Sequence, residues 1–363
     1  MENTNISSLS TGAVIEELIN MYGRAIQKNF PFKKLPAVFL WGPSGVGKSE
    51  AVQQIADWIR DYSQKKVVVT DARLQTYDPT DLNGIPVADE QHKFVVWLRP
   101  KIFAMDESED VINILFLDEL SSAPEKVQGA AYQLVLDRKI ETHELPDNCI
   151  LIAAGNRKTD RGLVYRMLSP LANRMMHFSV KPDFESWKKW AFRSGIRPYV
   201  IGYLSCNTHK LHCFDAETDE LAFPTPRSWK MVSDQLYLYD DDPELAYHKI
   251  CGLIGAGNAI EFVNWCRIGT QLPETEDIFR GLAKNYPKTP DALSVLVSSM
   301  ICYTAENKDF LTKEKLKNAF RYVNRFPADF KAMFYHEFFN IKDMKMRYTR
   351  KEWTEMTEGA YRL

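Results

Sequence analysis

The chain lacks any run of about 18 uncharged apolar residues, and its first residues lack the basic-then-apolar order of a secretory signal. Neither a membrane-spanning nor an exported protein is expected; a cytoplasmic one is. Cysteine is scarce, with six residues at irregular spacings, which excludes a disulfide framework and fits reduced thiols. Net charge is also small, at −2, so there is no global electrostatic reason for tight nucleic-acid binding. Nucleic acid is thus not implied, though a local basic patch stays open. Internal repeats and low-complexity stretches are missing, and with 45% apolar and 26% charged residues the class is globular and soluble. At about 100–200 residues per domain, this length predicts two domains, with room for a third element.

What is present starts at Ala37–Trp41, an apolar run that reads as a buried strand. It is followed by Gly42-Pro43-Ser44-Gly45-Val46-Gly47-Lys48-Ser49, which fits G-x-x-x-x-G-K-[ST]. Gly42, Gly45 and Gly47 permit a tight turn that aims backbone N–H groups at phosphate oxygens. Lys48 supplies a point charge for the β- and γ-phosphates, and Ser49 offers a hydroxyl to Mg²⁺. The next segment, Glu50 to Tyr62, carries Val52, Ile55, Ala56 and Ile59 at helical spacing, so the phosphates would also meet a helix N-terminus. The expected ligands are a nucleoside triphosphate and Mg²⁺.

Residues Met1 to about Ser10 are polar and expected to fray, and Val14, Leu18, Ile19, Tyr22 and Ile26 then mark an amphipathic helix. Apolar runs at Ala37–Trp41, Lys66–Thr70, Asn113–Leu117, Cys149–Ala153 and Met176–Val180 alternate with helical patterns. That alternation predicts an α/β domain with a parallel five-stranded sheet flanked by helices. Two inserted β-hairpins are expected, one over Ile85–Leu98 and one over Lys139–Leu145. After about Lys181 the strands stop, and Trp187, Trp190, Tyr199, Leu204, Trp229, Val232 and Leu236 recur at helical spacing. The expected division is an α/β domain over 1–181, an all-helical lid over 182–307 and a helical C-terminal extension over 308–363. The run Asp240-Asp241-Asp242-Pro243 reads as a solvated turn and helix start.

Downstream, the apolar strand Asn113–Leu117 ends in Asp118-Glu119, at the carboxyl end where ligands of open α/β sheets sit. Asp118 is expected to hold the Mg²⁺ shell with Ser49, and Glu119 to polarise the attacking water. Asn156, after the strand that ends Ala153-Ala154-Gly155, would lie beside the γ-phosphate and orient water or sense phosphate loss. Arg174, just before the last strand, can reach a neighbouring subunit's γ-phosphate in trans, with Arg166 as a second candidate. Arg227, in Pro224-Thr225-Pro226-Arg227-Ser228-Trp229, opens a helix of the second domain and can fold back onto the nucleotide.

With these residues assembled, the chain resembles the AAA+ ATPases, and within them the MoxR-like and dynein-related group. The resemblance is carried by Leu74–Gly84, Phe116–Gln128 and Ala153–Arg157, and covers roughly residues 10–240. It implies that Gly42–Ser49 is the Walker A loop, Asp118 and Glu119 the Walker B pair, Asn156 the sensor-1 residue, Arg174 the arginine finger and Arg227 the sensor-2 arginine. The two hairpins look like the helix-2 and presensor-1 inserts of that branch. It further implies an ATP-hydrolysing homo-oligomeric ring, hexameric by analogy, that remodels a separate partner protein, frequently one with a von Willebrand A domain. The chain has no D-x-S-x-S metal motif of its own. Two other classes stay open. One is a P-loop kinase of small molecules, because the loop resembles that of guanylate kinases; the other is a slow ATP-binding switch or scaffold. The aromatic hairpin Phe94-Val95-Val96-Trp97 can serve either packing or contact with a polypeptide in a central pore. Cys206, His209, His212 and Cys213 have zinc-ligand chemistry, but their spacing matches no established finger and their segment reads as loop.

Overall fold

A computed structural model describes residues 6–157, 160, 169–214, 220–269, 272–341 and 343–360. The chain divides into two compact units, Met1–Asp183 and Phe184–Leu363. The first unit opens with β1 (Ser8–Ser10) and α1 (Thr11–Gln27), then β2 (Ala37–Trp41), α2 (Lys48–Ser63), β3 (Lys66–Arg73) and the short α3 (Pro79–Asn83). A hairpin of β4 (Ile85–Ala88) and β5 (Val95–Leu98) precedes β6 (Val111–Asp118) and α4 (Glu125–Asp137). A second hairpin, β7 (Lys139–Ile140) with β8 (His143–Glu144), leads to β9 (Cys149–Gly155), the turn of helix α5 (Ser169–Ala172) and β10 (Met175–Lys181).

The sheet is parallel throughout and ordered β1-β10-β2-β9-β6-β3. Its strands read as continuous apolar runs because helices cover both faces. On one face Phe39, Leu115, Leu117, Leu151 and Ala153 pack with Val127, Ala131 and Leu134 of α4. On the other, Val38, Leu40, Ile114, Phe116 and Ile152 pack with Leu18 and Tyr22 of α1 and Ile55 and Ile59 of α2. Both expected hairpins form, as separate antiparallel ribbons.

Five strands were expected and six are found. The sixth is β1, within the segment expected to fray. Ser8, Leu9 and Ser10 pair in parallel with Ser179, Val180 and Lys181, and the Ser10 hydroxyl then accepts from Ala13 N to cap α1. Three residues with one apolar side chain give no periodic signal; the strand exists through its register with β10.

The second unit is helical: α6 (Phe184–Arg193), α7 (Pro198–Cys206), α8 (Pro226–Leu238), α9 (Tyr247–Ile254), α10 (Ala256–Gly269), α11 (Thr275–Arg280), α12 (Pro290–Asn307), α13 (Lys313–Val323), α14 (Ala328–Asn340) and α15 (Arg350–Met356). One cluster gathers Trp187, Ile201, Leu204, Trp229, Val232, Leu236 and Phe262. The other joins Leu296, Val297 and Met300 of α12 to Phe320, Phe334, Phe338 and Trp353, so the helices beyond Lys308 share a core with α12. A buried ion pair, Lys188 Nζ to Glu337 at 2.9 Å, ties α6 to α14. Two local expectations change here. Cys206 ends a helix and Thr208–Leu211 form a 3₁₀ turn, in place of a loop. Asp241 is not merely solvated: its carboxylate takes the Arg197 guanidinium in a two-point pair, with Nε donating at 2.7 Å. Among the described residues no helix is long and apolar enough to cross a membrane, and no group of three or more His, Cys, Asp or Glu side chains is gathered for a metal.

Trp353 is almost fully buried, and its ring meets those of Phe338 and Phe339 at centroid distances of 5.9 and 5.2 Å. Trp353→Ala is expected to cost about 3–5 kcal/mol through lost burial and the cavity left behind. Urea unfolding followed by circular dichroism should show the helical transition moving to lower denaturant.

Candidate active site

The site is built where β2, β6 and β9 end. After Trp41 the chain turns through Gly42–Ser49, with Gly47 at φ 96° as the N-cap of α2. That conformation is open to glycine and costly for other residues, and it places the N-terminal turn of α2 directly after the loop. Gly42 has a different need from the turn expected of it. A Cβ there would stand 2.8 Å from the Val180 carbonyl oxygen of β10, so the absence of a side chain lets the loop start against the neighbouring strand. Thr11, the first residue of α1, donates its hydroxyl to Val46 O at 3.2 Å and fastens the loop from the other side.

Lys48 lies across the loop. Its Nζ donates to Gly42 O at 2.6 Å, Pro43 O at 3.0 Å and Asn156 Oδ1 at 2.9 Å. Asn156 is set by its backbone: its N–H donates to the Ser121 hydroxyl, which donates in turn to Asn156 O, both at 3.0 Å. Gly155 makes this possible, since a Cβ there would meet Ser121 Oγ at 2.4 Å. Ser49 Oγ donates to Asp118 Oδ2 at 3.2 Å, while Asp118 Oδ1 accepts Glu119 N at 2.9 Å. A hydroxyl and a carboxylate in contact, both hard oxygen donors, fit Mg²⁺, which keeps most of its water and takes one or two protein oxygens plus phosphate. Glu119 itself is in the left-handed region, at φ 57° and ψ 29°, a conformation that costs a non-glycine residue on the order of 1 kcal/mol or more.

The structure therefore brings Gly42–Ser49, Asp118, Glu119 and Asn156 to one place. Arg174, exposed at the start of β10, rests on α4: its Nη1 donates to the Tyr132 hydroxyl at 3.1 Å and its guanidinium carbon lies 5.4 Å from that ring's centre. Arg227 belongs to the second unit, exposed in the first turn of α8 behind the N-cap Thr225. Arg166 lies outside the described residues. Arg157 reaches β10 and donates to Ser179 Oγ and Val180 O. Local pattern did not single out Thr11, Asp71, Ser121 or His177, because each acts through a bond or charge distant in sequence. Only Ser121 had a signal, as part of the Leu120–Glu125 stretch that carried the resemblance.

One comparison bears on this geometry. Residues 37–175 match the family model of the AAA domain, dynein-related subfamily. The match runs from β2 to the first residue of β10 and holds Gly42–Ser49, Asp118, Glu119, Ser121, Asn156 and Arg174, while Thr11, Val180 and Arg227 lie outside it. No curated protein matches the chain. Among solved structures, PCH-2 of C. elegans aligns at 13% identity over 70% of this chain and 67% of its own, with a TM-score of 0.36. A RuvB variant of Thermotoga maritima aligns at 15% identity over 80% and 83%, TM-score 0.37. A putative ATPase of Cytophaga hutchinsonii aligns at 12% identity over 97% and 94%, TM-score 0.31. Likeness at this level says nothing of activity.

Two outcomes follow for the first unit. Gly155→Ala is expected to push Ser121 off Asn156 and to cost about 1–3 kcal/mol by overpacking, read by thermal unfolding. Burial first, and then the Asp118 charge, raise the Asp71 carboxyl above its ordinary value, with Arg73 pulling the other way. The folded state therefore holds that proton more tightly than the unfolded chain. The resulting stability is present at acid pH and is lost as pH rises from the ordinary carboxylate value through the raised one. Asp71→Asn should accordingly gain stability over the parent at neutral pH and lose that advantage in acid, measured by urea midpoints at the two pH values.

Proposed function

We propose that this chain binds ATP with Mg²⁺ and hydrolyses it, in a ring built from copies of itself. The observation that carries the reading is the single cluster in which Lys48 meets Asn156 and Ser49 meets Asp118, with Glu119 next in the chain. Phosphoryl transfer to water needs charge neutralisation and an oriented nucleophile, and these residues offer both. Lys48 and the loop N–H groups bind the triphosphate. Ser49 and Asp118 hold the Mg²⁺, which neutralises the developing charge. Glu119 polarises the water and Asn156 orients it against the γ-phosphate. Arg174 acts on a neighbour's nucleotide, which is why assembly and hydrolysis are coupled, and Arg227 on the nucleotide of its own chain.

The two inserted hairpins support placement in the MoxR-like branch, and a hexameric, chaperone-like ring is the corresponding assembly. The β4–β5 hairpin is the part offered to a partner protein, for which a von Willebrand A domain protein is one candidate. Phe94 is 70% exposed and Val95 65%, so packing within this chain does not account for them. All six cysteines are free thiols, in keeping with a reducing, cytoplasmic setting.

Lys48→Ala should weaken ATP binding. Glu119→Gln should bind ATP yet lose about 10²–10⁴-fold in turnover, the contribution of a positioned base. Arg174→Ala should bind ATP and lose about 10³-fold or more. The deciding measurement is ATPase rate per subunit against protein concentration, with Glu119→Gln as the blank. A rate that climbs with concentration supports a site shared between subunits. A flat rate with a monomer by sizing in ATP would reject it, and phosphate transfer to a nucleoside monophosphate would point to a kinase.

A further inference from the structure

Trp41 and His177 stand on adjacent strands, and their side chains share the face on which Phe39 packs. The Trp41 indole N–H donates to His177 Nδ1 at 2.9 Å, and His177 Nε2 lies 2.7 Å from the Ala172 carbonyl oxygen. An indole N–H only donates and a carbonyl oxygen only accepts. Nδ1 must therefore be bare and Nε2 must carry the proton, so the two bonds together select one neutral tautomer. The ends of this bridge are informative. Trp41 is bonded directly to Gly42, the first residue of the phosphate loop. Ala172 closes α5, whose Leu171 is buried and accepts the backbone N–H of Arg174 at 3.2 Å.

We propose that His177 is a positioning residue that couples the phosphate loop to the segment bearing Arg174. Through it, the conformation of a subunit's own loop is felt at the arginine that subunit offers to a neighbour. This rests on the trans-arginine reading above. No covalent path does the same work, because 130 residues separate Gly42 from Asn173. Few side chains replace the imidazole: the position needs an acceptor on one side and a donor on the other, held on a rigid frame.

The test is a double-mutant cycle on the full chain, at a protein concentration where the wild-type rate per subunit has levelled. ATP affinity and kcat are measured for His177→Phe, Arg174→Ala and the double variant. His177→Phe should bind ATP within about twofold of wild type and lose on the order of 10- to 100-fold in kcat, as a misplaced group does. The double variant should lose no more than Arg174→Ala alone, since both changes break one element. Trp41→Phe, which removes only the donor, should show the same pattern from the other end. His177→Gln, which keeps a donor and an acceptor, should recover part of the rate. Losses that multiply in the double variant, or a fall in ATP affinity that accounts for the fall in rate, would overturn the coupling. If Arg174→Ala is impaired and His177→Phe is not, only the positioning role is lost. If Arg174→Ala turns over normally, the trans-arginine reading fails and the coupling fails with it.

Discussion

Strands β2, β6 and β9 are buried on both faces, and that constraint decides where polar chemistry can stand in the first unit. Along β9 every residue is buried, along β6 all but the last, and along β2 all but the last. An unpaired polar group in such a layer costs about 1–3 kcal/mol, so side chains with chemistry are admitted only as the strands emerge. Asn113 shows the rule from the other end of β6. It is buried, and its amide is spent on Asp106 O and Asn148 Oδ1. At the carboxyl ends the chain leaves these layers, and there Gly42, Asn156 and Asp118 follow one another across the three adjacent strands β2, β9 and β6.

Proximity alone would leave those ends loosely related; what ties them is a set of close approaches permitted by missing side chains. Gly42 lies against β10, and Gly155 lies against Ser121. The Ser121 hydroxyl then bridges the turn after β6 to the end of β9, and Lys48 bridges the start of α2 to Asn156. Each link joins elements that are far apart in the chain. A displacement of the loop is thereby carried to Asn156 without passing through the hydrophobic layers.

The same distinction explains how much was legible in the sequence. β2, β6 and β9 were readable because burial on both faces makes them continuous apolar runs; β3 and β10 are less buried but still rich in apolar residues, and each of the five is seen within three residues of its expected ends. The loop, Asp118, Glu119 and Asn156 were readable because each follows such a run directly. β1 was not, since three residues held by register have no pattern to detect. Nor were Thr11, His177 and Asp71, whose partners Val46, Trp41 and Asp118 lie tens of residues or more away. Asp241 misled for the same reason. An acidic run looks solvated until Arg197, which precedes α7, is brought to it.

Glu119 is where local and global demands conflict. Its backbone is left-handed, which sequence preference resists, yet the turn it makes puts Leu120 into the hydrophobic layer and Ser121 on Asn156. What holds it is Asp118, whose carboxylate accepts the Glu119 N–H, and the short 3₁₀ turn that follows, in which Ser122 N donates to Glu119 O. The residue whose carboxylate is assigned to the water is thus oriented by the residue assigned to the metal. The strain thus serves the packing of the turn, and the same backbone sets where the Glu119 side chain leaves the chain, on which the proposed alignment of a water with the γ-phosphorus depends.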